Sequence, residues 1–247
     1  MTLCSTKERS RVSSLLITGT DTDAGKTLLT SALAAYWCLY CQPRSLGILK
    51  PIQTGVGDRE HYQRLFAASP TLTIANPLHF EAPLAPPLAA DREGRSIPLD
   101  LVWNAYTQLK QTHDLVLVEG LGGLGSPVTH ETTVADLAWD WRLSAVLVVP
   151  VKLGAIGQTV ANVALAERSR VHLKGIVLNC ITPATAEEVD QWANIPLIET
   201  LTHLPVLGVL PHVADPTDLH QLAHIASNLA IEKLLPLSAS NLPAPLS

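Results

Sequence analysis

Short apolar runs alternate along this chain with stretches whose apolar residues recur at helical spacing. The runs at 15–17, 46–49, 115–118, 145–149, 176–178 and 206–210 are uninterrupted, as in strands buried on both faces. After the first run, Leu28, Leu29, Ala32, Leu33, Tyr36 and Leu39 predict a helix that Gln42-Pro43 ends. Further helices are predicted over 58–66, 99–112, 155–168 and 217–235. The proline-rich segment 71–98, with EAPLAPPLAA inside it, shows no sustained period and reads as a loop-like insertion. Strands alternating with helices, over connections long enough for right-handed crossovers, predict an α/β fold: one doubly wound, mostly parallel sheet with helices on both faces.

Length and charge narrow this picture. With 247 residues, 47% of them hydrophobic, the chain can bury one large core, and no stretch reads as a linker. A single domain is expected over 15–235, between a flexible N-terminus (1–14) and a flexible C-terminal tail (236–247). A net charge of −5, from 17 basic and 22 acidic residues with no basic run, argues against a nucleic-acid partner. No apolar run approaches the roughly 20 residues of a membrane helix, and the polar start does not read as a secretion signal. A cytoplasmic protein without a membrane partner is expected. Cys38 and Cys41 form a CxxC with no second pair, which fits packing better than zinc.

The first strand runs into LLITGTDTDAGKT (15–27), and this stretch carries the most specific chemistry. Backbone N–H groups of a tight loop opening a helix converge on phosphate, and Gly25 permits close approach. Lys26 would reach the outer phosphates and Thr27 a magnesium ion that bridges them. The usual GxxxxGK[ST] pattern has glycine where this chain has Thr20, with Gly19 one place earlier. It is a deviant P-loop, which predicts nucleotide binding and a P-loop NTPase type of fold.

Other residues fall at carboxyl ends of predicted strands, where open α/β sheets bind ligands. Lys50 follows the second strand, a candidate phosphate or substrate contact. Asp58 starts a helix and, taken alone, is best read as an N-cap. Glu119 ends the third strand and is followed by Gly120-Leu121-Gly122-Gly123, glycines that suit close approach to a ligand. Asn179, after the fifth strand, either caps a turn or reads a base edge, and His212 reads as a pocket wall or surface residue. The segment Gly154-Ala155-Ile156-Gly157 opens a helix without an acidic side chain, which favours an anion.

Taken in order, the GTDTDAGKT loop, Lys50-Pro51 with Thr54-Gly55, Val118-Glu119-Gly120 with Gly122-Gly123, and Val151-Lys152-Leu153-Gly154 resemble the dethiobiotin synthetase family over nearly the whole chain. The resemblance implies ligation of diaminopelargonate and carbon dioxide, with ATP and magnesium (Mg2+), to give dethiobiotin, ADP and phosphate. It also implies residue roles. Lys26 and Lys50 would neutralise phosphate and carbamate charge as the catalytic pair, and Thr27, Asp58 and Glu119 would hold the metal. Nucleotide contacts would come from Asp23, Ala24, Gly25, Gly120, Leu121 and Gly122, with Asn179, Cys180, Pro211, His212 and Val213 bordering the adenine. Thr20 and Thr54 would touch the diamine. Gly154, Ala155 and Ile156 would meet its carboxylate across a homodimer whose active sites are shared.

The implied chemistry asks for positioning and charge stabilisation rather than a protein nucleophile, and none is found. Three other readings remain open, one of them a nucleotide-binding module without catalysis, which the retained lysines and acids argue against. An amide-forming ligase of the same fold usually carries a glutaminase domain, for which this chain has no room. A partition-type regulatory ATPase carries a signature lysine five positions before the P-loop lysine, and that position here is Asp21.

Overall fold

Strand β1 (Ser13–Gly19) lies at the centre of the sheet and leads directly into helix α1 (Lys26–Tyr40). The computed structural model describes residues 13–237; the expectations for 1–12 and 238–247 lie outside the described residues. The chain continues through β2 (Leu46–Leu49), β3 (Ile52–Thr54), α2 (Asp58–Leu65), β4 (Leu72–Ala75), β5 (Leu78–Phe80), α3 (Pro86–Glu93) and α4 (Leu99–Thr112). Next come β6 (Leu115–Gly123), α5 (Val134–Asp140), β7 (Ser144–Pro150), α6 (Ala155–Arg168) and β8 (His172–Asn179). The last elements are α7 (Ala186–Trp192), α8 (Ile195–Thr202), β9 (Val206–Leu210), α9 (Leu219–Ser227) and α10 (Ile231–Leu234). Seven strands form one sheet in the order β4-β2-β6-β1-β7-β8-β9, and every neighbouring pair is parallel.

Alternation along the central strands builds a core on each face. Leu15, Ile17, Leu115, Leu117, Val146 and Val148 pack on the side of α1 and α9. Leu16, Val116, Val118, Ala145, Leu147 and Val149 pack on the opposite side with α4, α5 and α6. All are fully or almost fully buried, and each such aliphatic side chain larger than alanine contributes roughly 1.5–3 kcal/mol by leaving water. Because both faces are covered, the strands read as continuous apolar runs.

The proline-rich segment is ordered, contrary to the loop expected there. Its β4 extends the sheet beside β2, while β5 pairs with β3 in a separate two-stranded sheet. Pro86 and Pro87 open α3, in the first turn where a missing N–H costs no hydrogen bond. The helix expected over 217–235 starts later and divides. Asp218 caps it by accepting from the backbone N–H groups of His220 and Gln221. It then breaks at 228–230, where the Ala230 N–H donates to Leu207 of β9 at 2.7 Å. No helix among the described residues is long and apolar enough to cross a membrane.

The strand order sets the site. Connections leave β1 to one side through β2 and β4, return to β6, and then cross to β7, β8 and β9 on the other side. The crevice at such a reversal, beyond the carboxyl ends of β1 and its neighbours, is where this architecture binds ligands.

Candidate active site

The deviation in the glycine loop has a local cause. Thr20 extends the sheet, its N–H donating to Val148 at 3.1 Å, so the tight packing falls on Gly19. A Cβ there would sit 2.7 Å from the Ala24 Cβ. Gly25 caps α1 with φ 95°, a left-handed conformation that glycine adopts freely, and a Cβ would collide with the Asn179 carboxamide. The first turn of α1 has neither a side-chain cap nor an acidic residue, leaving its N–H groups to an anion. Lys26 Nζ donates to the carbonyl oxygens of Asp21 (3.0 Å) and Thr22 (2.8 Å) within the loop. Burial lowers its pKa, against the pull of Glu119.

Four elements meet at Glu119. This carboxylate, at the carboxyl end of β6, has no exposed surface. Lys50, following β2, places Nζ 2.7 Å from Glu119 Oε1 and 2.5 Å from Asp58 Oδ2. Thr27 Oγ1 of α1 is 3.0 Å from Asp58 Oδ1 and 3.1 Å from Glu119 Oε1. A hydroxyl owns one proton, so it donates to one carboxylate at a time. Tyr62 of α2 donates its hydroxyl to Glu119 Oε2.

Charge pairing decides how these groups ionise. Burial acts to lower the Lys50 pKa, but Glu119 and then Asp58 outweigh it and hold the ammonium above its ordinary value. Burial acts to raise Asp58, and Lys50 outweighs it, keeping that carboxyl below the usual range. Burial pushes the Glu119 carboxyl up, opposed first by Lys50. Asp58 is the first residue of α2 rather than its N-cap, which is Gly57. Its carboxylate is therefore free to face the site.

These groups open onto a cleft of about 820 Å³. Of the residues expected from the sequence, Asp23, Gly25, Lys26, Thr27, Lys50, Thr54, Asp58, Glu119, Leu121 and Gly122 line it. Others stand outside that lining. Ala24 is buried behind the loop, and Thr20 and Gly120 belong to the backbone frame. Asn179 supports the loop, its Nδ2 donating to Ala24 at 2.9 Å, while its buried Oδ1 has no partner among the described residues. The Cys180 N–H donates to Leu210, and His212 Nδ1 lies 2.8 Å from the Ile181 carbonyl oxygen. Pro211 and Val213 follow β9 on the same side. Gly154, Ala155 and Ile156 open α6 away from the cleft lining, with Gly154 at φ 92° and Ala155 fully buried.

Several contributors escaped the sequence reading. Thr22, Gln53, Val56, Pro83, Leu84, Ala85, Pro86, Ser126 and Pro127 also line the cleft. Lys152 pairs with Asp21 at 2.9 Å, tying the loop after β7 to the phosphate loop. Tyr62 follows Asp58 by four residues, a spacing that places both on one helix face.

The model of a family described as an AAA domain matches residues 13–218. The ATP-dependent dethiobiotin synthetase of Crocosphaera subtropica is 57% identical over 90% of this chain and 100% of its own length. The enzyme of the same name from Gloeothece citriformis is 54% identical over 92% of this chain and 100% of its own. The chain belongs to the dethiobiotin synthetase family. A ParA family ATPase from Chlorobium tepidum, 13% identical, superposes with a TM-score of 0.57 over 91% of this chain and 95% of that one, which shows a shared fold. In this synthetase Asp21, at the position of the partition-type lysine, binds the chain's own Lys152.

The loop geometry yields a direct expectation. A left-handed backbone costs a residue with a Cβ roughly 1–2 kcal/mol, and at Gly25 the collision with Asn179 adds to it. Gly25→Ala is expected to weaken ATP binding at least about tenfold while leaving the circular dichroism spectrum intact. Calorimetric titration giving wild-type affinity would show that this loop is not the phosphate seat.

Proposed function

We propose that this synthetase converts 7,8-diaminopelargonate, carbon dioxide and ATP into dethiobiotin, ADP and phosphate, the ureido-ring step of biotin biosynthesis. Family membership supports the overall reaction. The observation that carries its residue-level reading is the convergence of Lys26, Lys50, Thr27, Asp58 and Glu119 at one cleft. One amine takes up carbon dioxide and loses a proton to become a carbamate. A carbamate oxygen attacks the γ-phosphorus, the bond to the ADP oxygen breaks, and a carbamic-phosphoric anhydride results. The second amine adds to the carbonyl carbon and expels phosphate, closing the ring.

In this reading Lys26 and Lys50 stabilise charge on the transferring group, the largest contribution a protein makes to such a step. The oxygens of Thr27, Asp58 and Glu119 are hard donors that suit magnesium while leaving positions for phosphate oxygens and water. The metal, when bound, supplies charge neutralisation between the phosphates. The partnerless Asn179 Oδ1 suits the amino group of adenine. Thr54 at the cleft wall suits an amine, and the apolar wall of Val56, Pro83 and Leu84 suits the aliphatic chain.

The reaction predicts that phosphate release from ATP, magnesium and bicarbonate depends on the diamine. Equal release without it would sink the proposal. Lys50→Ala should lower kcat by on the order of a hundredfold, from roughly 3 kcal/mol of transition-state stabilisation, with a smaller change in ATP affinity. Glu119→Gln and Asp58→Asn should each raise the magnesium concentration for half-maximal rate, since a neutral amide binds a hard cation less well than a carboxylate. A magnesium titration unchanged in Asp58→Asn would remove Asp58 from the ligand set.

We further propose a homodimer in which the partner's helix start at α6 receives the substrate carboxylate. Ala155 N–H already donates to Lys152 at 3.0 Å, leaving the next N–H groups to serve. Gly157 is exposed, with open space where a Cβ would stand. Gly157→Glu should weaken diamine binding and spare ATP, and mixing it with inactive Lys50→Ala should restore activity through hybrid dimers. A mixture that stays inactive despite demonstrated subunit exchange would refute shared sites.

A further inference from the structure

We propose that Tyr62 is a positioning residue for Glu119, fixing which carboxylate oxygen is presented to the metal and Lys50; this rests on the metal reading given above. The two oxygens have separate duties. Oε1 faces Lys50 at 2.7 Å and Thr27 at 3.1 Å, while Oε2 takes the Tyr62 hydroxyl. The terminal torsion of a glutamate is broad and roughly two-fold, so contacts to one oxygen leave the carboxylate plane free to turn. A donor on the second oxygen removes that freedom.

Tyr62 can do this because it cannot itself move far. Its side chain is fully buried in the core on the α1 face of the sheet. Its helix is anchored on both sides: His61 Nε2 lies 3.1 Å from Ser31 Oγ of α1, and Gln53 Oε1 of β3 accepts the Arg59 N–H at 2.9 Å. Glu60 adds a third tie, accepting from Gly57 N–H and Gln53 Nε2 at 3.1 and 2.9 Å. One helix face thus carries both Asp58, which enters the site directly, and Tyr62, which orients the other carboxylate. The separation between the two carboxylates is set by a single rigid piece. Partners behind a metal ligand, hydrogen-bonded to its far side, typically govern affinity by 10–100-fold.

The test measures manganese(II) binding to the ADP complex by electron paramagnetic resonance, with ADP affinity measured separately without metal. Tyr62→Phe keeps the ring and removes the donor. It should weaken manganese about tenfold while metal-free ADP binding stays at the wild-type value. A folded Tyr62→Phe with wild-type manganese affinity and only a lowered Tm would reduce Tyr62 to a packing residue and overturn the proposal. Glu119→Gln, run alongside, separates the two levels: if it too leaves manganese affinity unchanged, the metal reading has failed. Should Tyr62→Phe not fold, adding it to Glu119→Gln removes the buried charge as well. The double variant should bind manganese as Glu119→Gln alone does, whereas a further loss would show that Tyr62 does not act through Glu119.

Discussion

A carboxylate sealed from water at the end of the central strands is the constraint on which this molecule depends. Leaving a buried charge without its partner costs roughly 3–5 kcal/mol, a large part of the 5–15 kcal/mol by which a domain is stable. Glu119 escapes that penalty only because β2, α1 and α2 each deliver a group to it: Lys50, Thr27 and Tyr62. The strand order makes this possible, since β6 is inserted between β2 and β1. The strand order that completes the sheet therefore also brings these groups together.

The same pairing explains how the site can exist before its ligands arrive. Two lysines, Lys26 and Lys50, face two carboxylates, Asp58 and Glu119, so the cluster is close to neutral by itself. A site of this kind has no large standing charge with which to hold a free phosphate or a free cation. Under the proposed reading it would favour the two together, with the N–H groups opening α1 facing the anion. That suits a nucleotide carrying its own magnesium.

Much of this was legible in the sequence, for a physical reason. Strands buried on both faces are apolar throughout, and the run at 46–49 coincides with β2, every residue of which is buried. Helices with one buried stripe, α4 and α6, also match the periodicity in full. What failed lacked such a signature. The edge strand β4 is only half-buried and shows no apolar run, and α7 has no buried residue to generate a period. In the site, motif spacing pointed to residues beside the glycine loop and at the strand ends, and the fold brings many of them to one cleft. It could not find Gln53 or Tyr62, whose importance lies in contacts across 7 and 57 residues of chain. Asn179 was found, but its support of the Ala24 carbonyl was not foreseeable from its position after a strand.

A fold shared with a ParA family ATPase leaves the question of why, under the proposed reaction, a carbamate rather than water would receive the phosphoryl group. Fold does not decide function, but the cleft's side chains do bear on it. Attack by water is promoted by a residue that orients it or takes its proton. Among the described residues no histidine lines this cleft, and the Gln53 carboxamide is held by Glu60 and the Arg59 N–H. Of its carboxylates, Asp58 and Glu119 are committed to Lys50, and Asp23 stands exposed on the loop. A carbamate already carries negative charge and needs no such base. Under the proposed reaction it needs only to be held facing the γ-phosphorus by Lys26 and Lys50, and a magnesium ion, held by Thr27, Asp58 and Glu119, would add charge neutralisation. Under the same reading, the apolar side chains of Val56, Pro83, Leu84, Ala85 and Pro86 in the cleft lining suit a substrate with an aliphatic chain better than water. Discrimination against hydrolysis, on this account, follows from what the cleft leaves out as much as from what it supplies.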